Sequence, residues 1–254
     1  MVLSCFAPYR GNDRGRYEVK RFFVDAVGET TGLVGEEFEH AKNVLRTTVG
    51  EEVVLLDNSG NEYTAVVASV EKKRMLLHTV RKEVGQREAQ SDVCLLFGYL
   101  KNADKNEFIV QKAVELGVRK IGVFSSEYSS AYMNANKLER LNKVAREATK
   151  QCLRSVAPEI VYCETLEKAL AMAEGYQNKL FACEFAEKSE VSLATLNGST
   201  AIVIGSEGGF SEAEANNAKN NGFSHVTLGK RILRAETAAV ALTSVVMYAL
   251  GEWE

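Results

Sequence analysis

From residue 92 to the end, short apolar runs alternate with longer amphipathic stretches, and this alternation constrains the fold more than any other feature of the sequence. DVCLLFGYL (92–100), KIGVFSS (120–126), EIVYC (159–163), NKLFACEF (178–185), TAIVIG (200–205) and HVTLG (225–229) are each the length of one buried strand. DKNEFIVQKAVELG, NKLERLNKVAREATKQCL, TLEKALAMA, EAEANNAKNNG and AETAAVALTSVVMYAL separate or follow them with helical periodicity. Strands that are apolar on both faces and are joined by helices form a parallel sheet covered by helices on each side. In the first of these helices Phe108, Val110, Ala113, Val114 and Leu116 are expected to face the core, with Gly117 stopping the helix.

The residues before this region have a different texture. RFFVDA, EEVVLLD, YTAVVASV and RMLLHTV read as short strands, DNSGNE between the second and third as a hairpin turn, and EEFEHAKNVLR as one helical interruption. A small, mostly β barrel over 21–85 is expected, an architecture common among modules that present a surface to RNA. Arg81 to Ser91 carries five charges and, apart from Val84, no sizeable apolar side chain, which makes it the strongest linker in the chain. The second domain is placed at 91–254. Residues 1–20, with Pro8, Gly11, Gly15 and a cluster of basic residues, read as a flexible extension or start-site artefact, with an RNA-binding arm as the alternative.

With 254 residues, 46% of them hydrophobic, the chain can bury a full core; its net charge of −3 gives no global basic field to attract nucleic acid, so any RNA contact must be local. Five cysteines, odd in number and without a C-x-x-C pair, read as a reduced, cytoplasmic chain with no structural metal. No apolar run is long enough for a membrane helix, and the start lacks a signal-peptide core.

Ligands of parallel sheets bind at the carboxyl ends of strands, where two loops hold the informative residues. VIGSEGGF (203–210) is glycine-rich but matches neither the G-x-x-x-x-G-K-[ST] nor the G-x-G-x-x-G phosphate motif, and Glu207 would repel a phosphate. Ile204 stands where a nucleophile elbow around Ser206 would need glycine, and the three histidines offer no paired base, which argues against a serine hydrolase. Ser211 and Glu214 form the S-x-x-E capping box of the next helix. A Gly-Gly turn before a capped helix is often only a turn. The second loop, LGKRILRAETA (228–238), adds Lys230, Arg231 and Arg234 before a helix whose first turn holds Glu236 and Thr237, with Leu228, Ile232 and Leu233 apolar among them. Two such loops can offer backbone groups, apolar side chains for an adenine face and basic groups for an anion.

VIGSEGGFSEAEANNAKNNGFSHVTLGKRILRAETAAVAL closely resembles the C-terminal signature of the SPOUT methyltransferases, specifically the 16S ribosomal RNA (uracil-N3)-methyltransferase family. KNADKNEFIVQKAVELGV and EATKQCLRSVAPEI resemble its middle motifs, and KRFFV with HAKNVLR its N-terminal PUA-like domain. The resemblance runs from about Arg21 to the end. It implies an α/β SPOUT domain with a deep trefoil knot beside a small PUA-like β-barrel domain, S-adenosyl-L-methionine as cofactor, and a homodimer joined through its C-terminal helices. By position, Ala182, Cys183, Glu184, Gly205, Glu207, Gly208, Gly209, Leu228, Gly229, Ile232, Leu233 and Arg234 should line the cofactor pocket, mainly through backbone. Glu207 is expected either to face that pocket or to brace the knot.

The resemblance implies methylation of N3 of a uridine in 16S ribosomal RNA of the small subunit, with Arg234 balancing the charge of a uracil anion and Glu236 orienting it or assisting proton removal. Arg21, Lys42, Arg46, Lys72, Lys73 and Arg74 are the expected RNA-positioning charges of the first domain. A ribose 2′-O-methyltransferase of the same superfamily and a non-catalytic RNA-binding assembly factor are the alternatives. The sequence departs from the family pattern at Ser206 (commonly proline), Ala235 (threonine), Leu153 (glycine) and Tyr128 (arginine), the last bearing on RNA contact.

Overall fold

The computed structural model describes residues 19–184, 186 and 188–253. Residues 1–18, most of the expected extension, lie outside the described residues. The chain divides into two compact units, one ending at Gln86 and one beginning at Arg87.

The first unit is a five-stranded sheet in the order β1-β3-β4-β5-β2. Its strands are β1 (Lys20–Phe23), β2 (Thr30–Val34), β3 (Glu52–Leu56), β4 (Asn61–Val70) and β5 (Arg74–Val84). β1 runs parallel to β3, and the other pairs are antiparallel. Alternate residues Val53 and Leu55, Ala65 and Val67, and Met75 and Leu77 turn inward onto Phe22, Leu33 and Phe38. The β3–β4 turn uses Asn58 (φ 63°) and Gly60 (φ 86°), the positive angles that DNSGNE was expected to supply. The sequence reading passed over β2: TTGLV holds a mid-strand glycine and only two inward side chains, Thr31 and Leu33, too short a pattern to stand out. The expected helix begins as α1 (Gly35–Glu39) and widens over His40–Val44 into a π-helical turn closed by the Leu45 amide on the His40 carbonyl at 3.0 Å.

The expected linker is ordered in its described surroundings. Arg81 to Val84 complete β5, and the stretch beyond is pinned to the second unit. The Glu88 carboxylate accepts hydrogen bonds from Arg154 Nε (3.0 Å) and from the amides of Ser155 and Val156, Ala89 is buried, and the amides of Gln90 and Ser91 donate to Glu252. A charged stretch looks like a linker until its charges find partners more than 60 residues away.

The second unit is an all-parallel sheet in the order β11-β9-β10-β6-β7-β8. Its strands are β6 (Val93–Gly98), β7 (Lys120–Ser125), β8 (Glu159–Thr165), β9 (Asn178–Ala182), β10 (Thr200–Ile204) and β11 (Ser224–Val226). Every residue of β6 and β10 is buried, as a sheet with two covered faces requires. Val93, Leu95 and Phe97 face α2 (Ala103–Glu115), α3 (Ala135–Gln151) and α6 (Ala235–Ala249). Cys94 and Leu96 face α4 (Leu166–Met172) and α5 (Glu212–Asn220). In α2 the inward residues are Ile109, Val110, Ala113 and Val114; Phe108, expected inside, is 43% exposed because Ile109 occupies the inward register and Phe108 turns outward beside Lys112.

After the edge strand β11 the chain returns across the sheet, and α6 packs against β10, β6, α2 and the short turn Leu193–Thr195 in the β9–β10 connection. Those are contacts that a chain end threaded through that connection would make. Among the described residues no helix is long and apolar enough to cross a membrane, Cys94, Cys152, Cys163 and Cys183 are free thiols, and no group of three or more potential ligands could hold a metal ion.

Candidate active site

The strand order sets β9 between β10 and β11, and the registers Val203↔Phe181 and Val226↔Ala182 bring the carboxyl ends of all three to one level. The segments after Ala182, Ile204 and Val226 therefore meet above the sheet, and α6 starts from the last of them. They enclose a cavity of about 670 Å³, within the range of small-molecule sites.

Of the twelve residues expected at a cofactor pocket, eleven line this cavity: Ala182, Cys183, Glu184, Gly205, Glu207, Gly209, Leu228, Gly229, Ile232, Leu233 and Arg234. Gly208 is not in the wall. A Cβ there would stand 2.6 Å from the Cβ of Tyr128 and 2.8 Å from its carbonyl oxygen, so its glycine serves the close approach of the loop after β7. Glutamate 236, Ala235 and Lys105 complete the wall at the start of α6.

The 205–209 turn is fixed from several sides. The Gly209 amide donates to the Ser206 carbonyl at 3.0 Å, and Gly209 takes φ 67°. Buried Ser206 lies against Gly98, where a Cβ would come within 2.6 Å of the Ser206 nitrogen. The Glu207 carboxylate accepts the Lys101 amide at 3.0 Å, tying the turn to the segment after β6, and the residue also borders the cavity. The capping box closes the α5 terminus: Ser211 Oγ accepts the Glu214 amide, and the Glu214 carboxylate accepts the Ser211 amide and the Glu127 amide. The terminus of α6 has no such side-chain cap, since its N-cap is Arg234. Of the five described helices that start at this end of the sheet, α2 to α5 have a side-chain cap and only α6, beside the cavity, has none.

The wall is open where a ligand backbone would need room. Gly229 has φ 98°, and a Cβ added there would meet no atom within 4 Å. Arg234 is exposed and makes no side-chain hydrogen bond or ion pair to another described residue. The Lys105 ammonium sits 2.9 Å from Glu236 Oε1, while Glu236 Oε2 is buried without a hydrogen-bond partner. Burial alone would raise the Glu236 pKa, but the Lys105 hydrogen bond, its backbone hydrogen bond and the charges of Lys105 and Arg234 outweigh burial and hold the carboxyl below its usual range.

Lys105 is the charged lining residue outside the strand-end loops that sequence reasoning passed over. It lies in a quoted motif, but no spacing rule ties residue 105 to residue 236. In the first unit, the expected RNA-facing Arg21 is a correction. Its side chain is 8% exposed, and it forms a two-pronged pair with Glu62 (2.7 and 3.3 Å) across the β1–β3–β4 sheet. Arg74 is exposed but paired with Glu71 at 2.9 Å. Lys72 and Lys73 are exposed at the β4–β5 turn; Arg46 (φ 50°) is exposed just after the π-helical turn, and Lys42 is exposed within that turn over the Phe38 ring.

Comparison with known proteins agrees with this geometry. The model of an RNA methyltransferase domain matches residues 87–247, and that of an RNA methyltransferase PUA domain matches residues 33–79. The ribosomal RNA small subunit methyltransferase E of Mesomycoplasma hyopneumoniae is 36% identical over 64% of this chain and 72% of its own length. The protein of the same name from Bacillus subtilis is 28% identical over 91% of this chain and 96% of its own. Among solved structures, a methyltransferase of Legionella pneumophila with bound S-adenosylmethionine superposes with a TM-score of 0.83 at 27% identity, covering 91% of this chain and 98% of its own. A ribosomal RNA small subunit methyltransferase E from Neisseria gonorrhoeae, also bound to S-adenosylmethionine, gives 0.79 at 29% identity with the same coverage. The chain belongs to the ribosomal RNA small subunit methyltransferase E family of RNA methyltransferases.

Proposed function

We propose that this protein transfers a methyl group from S-adenosyl-L-methionine to N3 of one uridine in 16S ribosomal RNA. The observation that carries the reading is the cavity at the ends of β9, β10 and β11, with Arg234 and Glu236 in its wall at the start of α6. The wall suits the cofactor. Backbone at Ala182 to Glu184, Gly205, Gly209 and Leu228 to Arg234 supplies donors and acceptors, Leu228 and Leu233 supply apolar surface for adenine, and Gly229 leaves space. No phosphate loop is needed, and Glu184, Glu207 and Glu236 suit a cationic ligand with ammonium and hydroxyl donors. When bound, S-adenosylmethionine supplies an electrophilic methyl group on a sulfonium.

Uracil N3 has no useful lone pair until its proton leaves to solvent, so the chain must stabilise the negative charge left on the base until the methyl group of the cofactor bonds to N3 and its sulfonium becomes a neutral thioether. Three features support Arg234 in this role: it carries a permanent charge, it is exposed beside the cavity, and its side chain makes no hydrogen bond or ion pair with another described residue. Glu236 keeps its charge at neutral pH and offers Oε2 as an acceptor for the imide N–H. A carboxyl held below its usual range is a weak base, which favours orientation over proton removal for Glu236. N3 pairs inside a duplex, so the target must be unpaired or flipped.

Lys42, Arg46, Lys72 and Lys73 are the exposed charges of the first unit that support RNA positioning, with Arg74 shared with Glu71. The apolar residues Val245, Tyr248 and Trp253, each at least 40% exposed at the end of the chain, support a homodimer through α6. The small ribosomal subunit in the cytoplasm is the proposed setting. Nucleoside mass spectrometry of 16S ribosomal RNA from a deletion strain tests the function: loss of one N3-methyluridine, restored by the intact gene, is expected. An unchanged nucleoside profile would refute it.

A further inference from the structure

We propose that Lys105 is a positioning residue for the methylated base, fixing the Glu236 carboxylate so that Oε2 accepts the imide N–H of uracil. The inference rests on the uracil-N3 reading above. Its basis is geometric: Lys105 on α2 and Glu236 on α6 both line the cavity, the ammonium holds Oε1 at 2.9 Å, and Oε2 is left buried with no partner. A buried carboxylate oxygen usually has its lone pairs satisfied, and one buried without a partner on a residue that lines a cavity is an acceptor to which a ligand donor can be brought. Uracil presents one N–H on its pairing edge, at N3, flanked by two carbonyl oxygens. A single fixed acceptor beside the mobile positive charge of Arg234 suits that donor between acceptors.

The carboxylate already takes a hydrogen bond from its own backbone, and Lys105 adds a second restraint that limits the rotamers otherwise open to a glutamate at a helix start. The lysine comes from a different element, so it fixes both the rotamer and the ionised state of the carboxyl. The charged groups that face Glu236 are Lys105 from α2 and Arg234 from its own cap; the facing β6, β10 and the Leu193–Thr195 turn contribute none. Removing Lys105 removes the largest influence that lowers the Glu236 pKa, so the acid limb of the rate profile should move to higher pH.

The test measures methyl transfer to small-subunit particles by Lys105→Met, Lys105→Arg, Glu236→Gln and the Lys105→Met/Glu236→Gln double variant, with product nucleoside identified by mass spectrometry and S-adenosylmethionine affinity by calorimetry. Lys105→Met should lower kcat/KM about tenfold or more, shift the acid limb upward and leave cofactor affinity within about twofold. Lys105→Arg should recover most of the rate. In the Glu236→Gln background the second substitution should cost little, because Lys105 acts through Glu236. Full activity and an unchanged pH profile in Lys105→Met, or equal losses in both backgrounds, would overturn the proposal. The double variant keeps the question open to refutation if Lys105→Met folds poorly, since it leaves no unpaired carboxylate. A wild-type product other than N3-methyluridine would instead refute the uracil-N3 reading, whatever the variants do.

Discussion

At the scale of single residues, two positions separate chemistry from conformation. Arg234 caps α6 with its backbone, lines the cavity and spends its guanidinium on no described partner, so truncation should affect charge and little else. Arg234→Ala should cut methyl transfer by about 10²- to 10³-fold, the size of losing one charge-stabilising group, while calorimetry still finds cofactor binding, since backbone forms most of the wall. Leu153 shows the opposite case. It departs from a common glycine and takes φ 63°, left-handed backbone that costs a side-chain-bearing residue about 1 kcal/mol. Leu153→Gly and Leu153→Ala lose the same side chain beyond Cβ, but only glycine relieves the backbone. Glycine should therefore be the more stable variant by about 1 kcal/mol, less whatever it adds to unfolded-chain entropy, in chemical denaturation. A lower or equal stability for glycine would show that the left-handed angle carries no strain.

At the scale of elements, the capping box of α5 joins local and long-range order. Ser211→Ala removes one cap and should cost about 1 kcal/mol. Glu214→Ala should cost more, because its carboxylate also accepts the Glu127 amide at 2.8 Å and so ties α5 to the loop after β7 that lies on Gly208. Thermal unfolding of the two variants gives the order, and equal losses would mean that the Glu127 contact adds nothing. That box was legible because both its residues lie within four positions of each other. The strands of the parallel sheet were legible for the same reason: their apolar runs are continuous. Phe108 and Ile109 were not, because adjacent apolar residues on a helix leave its inward register undecided until α3 and α6 are in place. Nor could β2 be seen, with two inward side chains. The eleven wall residues came from a resemblance carried by position onto three strand-end loops, whereas Lys105 needed the packing of α2 on α6.

At the scale of the whole molecule, the division between the units falls at Gln86 and Arg87, inside the stretch that the sequence reading left between its two domains, and a few decisive contacts assign residues from Arg87 to the second unit. Glu88 was counted among linker charges, yet it holds buried Arg154, which also donates to the carbonyls of Val114 and Val118 at the α2–β7 junction. Two residues on, Glu252 from beyond α6 fastens Gln90 and Ser91. The first residues of the methyltransferase unit are thus bound to the end of α2, the turn before β8 and the chain segment after α6, all of which pack on the face of the sheet that carries α6. Glu88→Ala leaves the Arg154 guanidinium, 3% exposed, without its carboxylate and strands the amides of Ser155 and Val156. Losing one partner of a largely buried pair costs roughly 3 kcal/mol, which for a unit of this size lowers Tm by about 6–12 °C. Glu88→Gln keeps oxygen and shape and should lose less. Calorimetric unfolding of the full chain checks both, and the loss should fall on the transition of the unit that begins at Arg87. A Glu88→Ala protein that unfolds like the wild type would return residues 87–91 to the role of a linker.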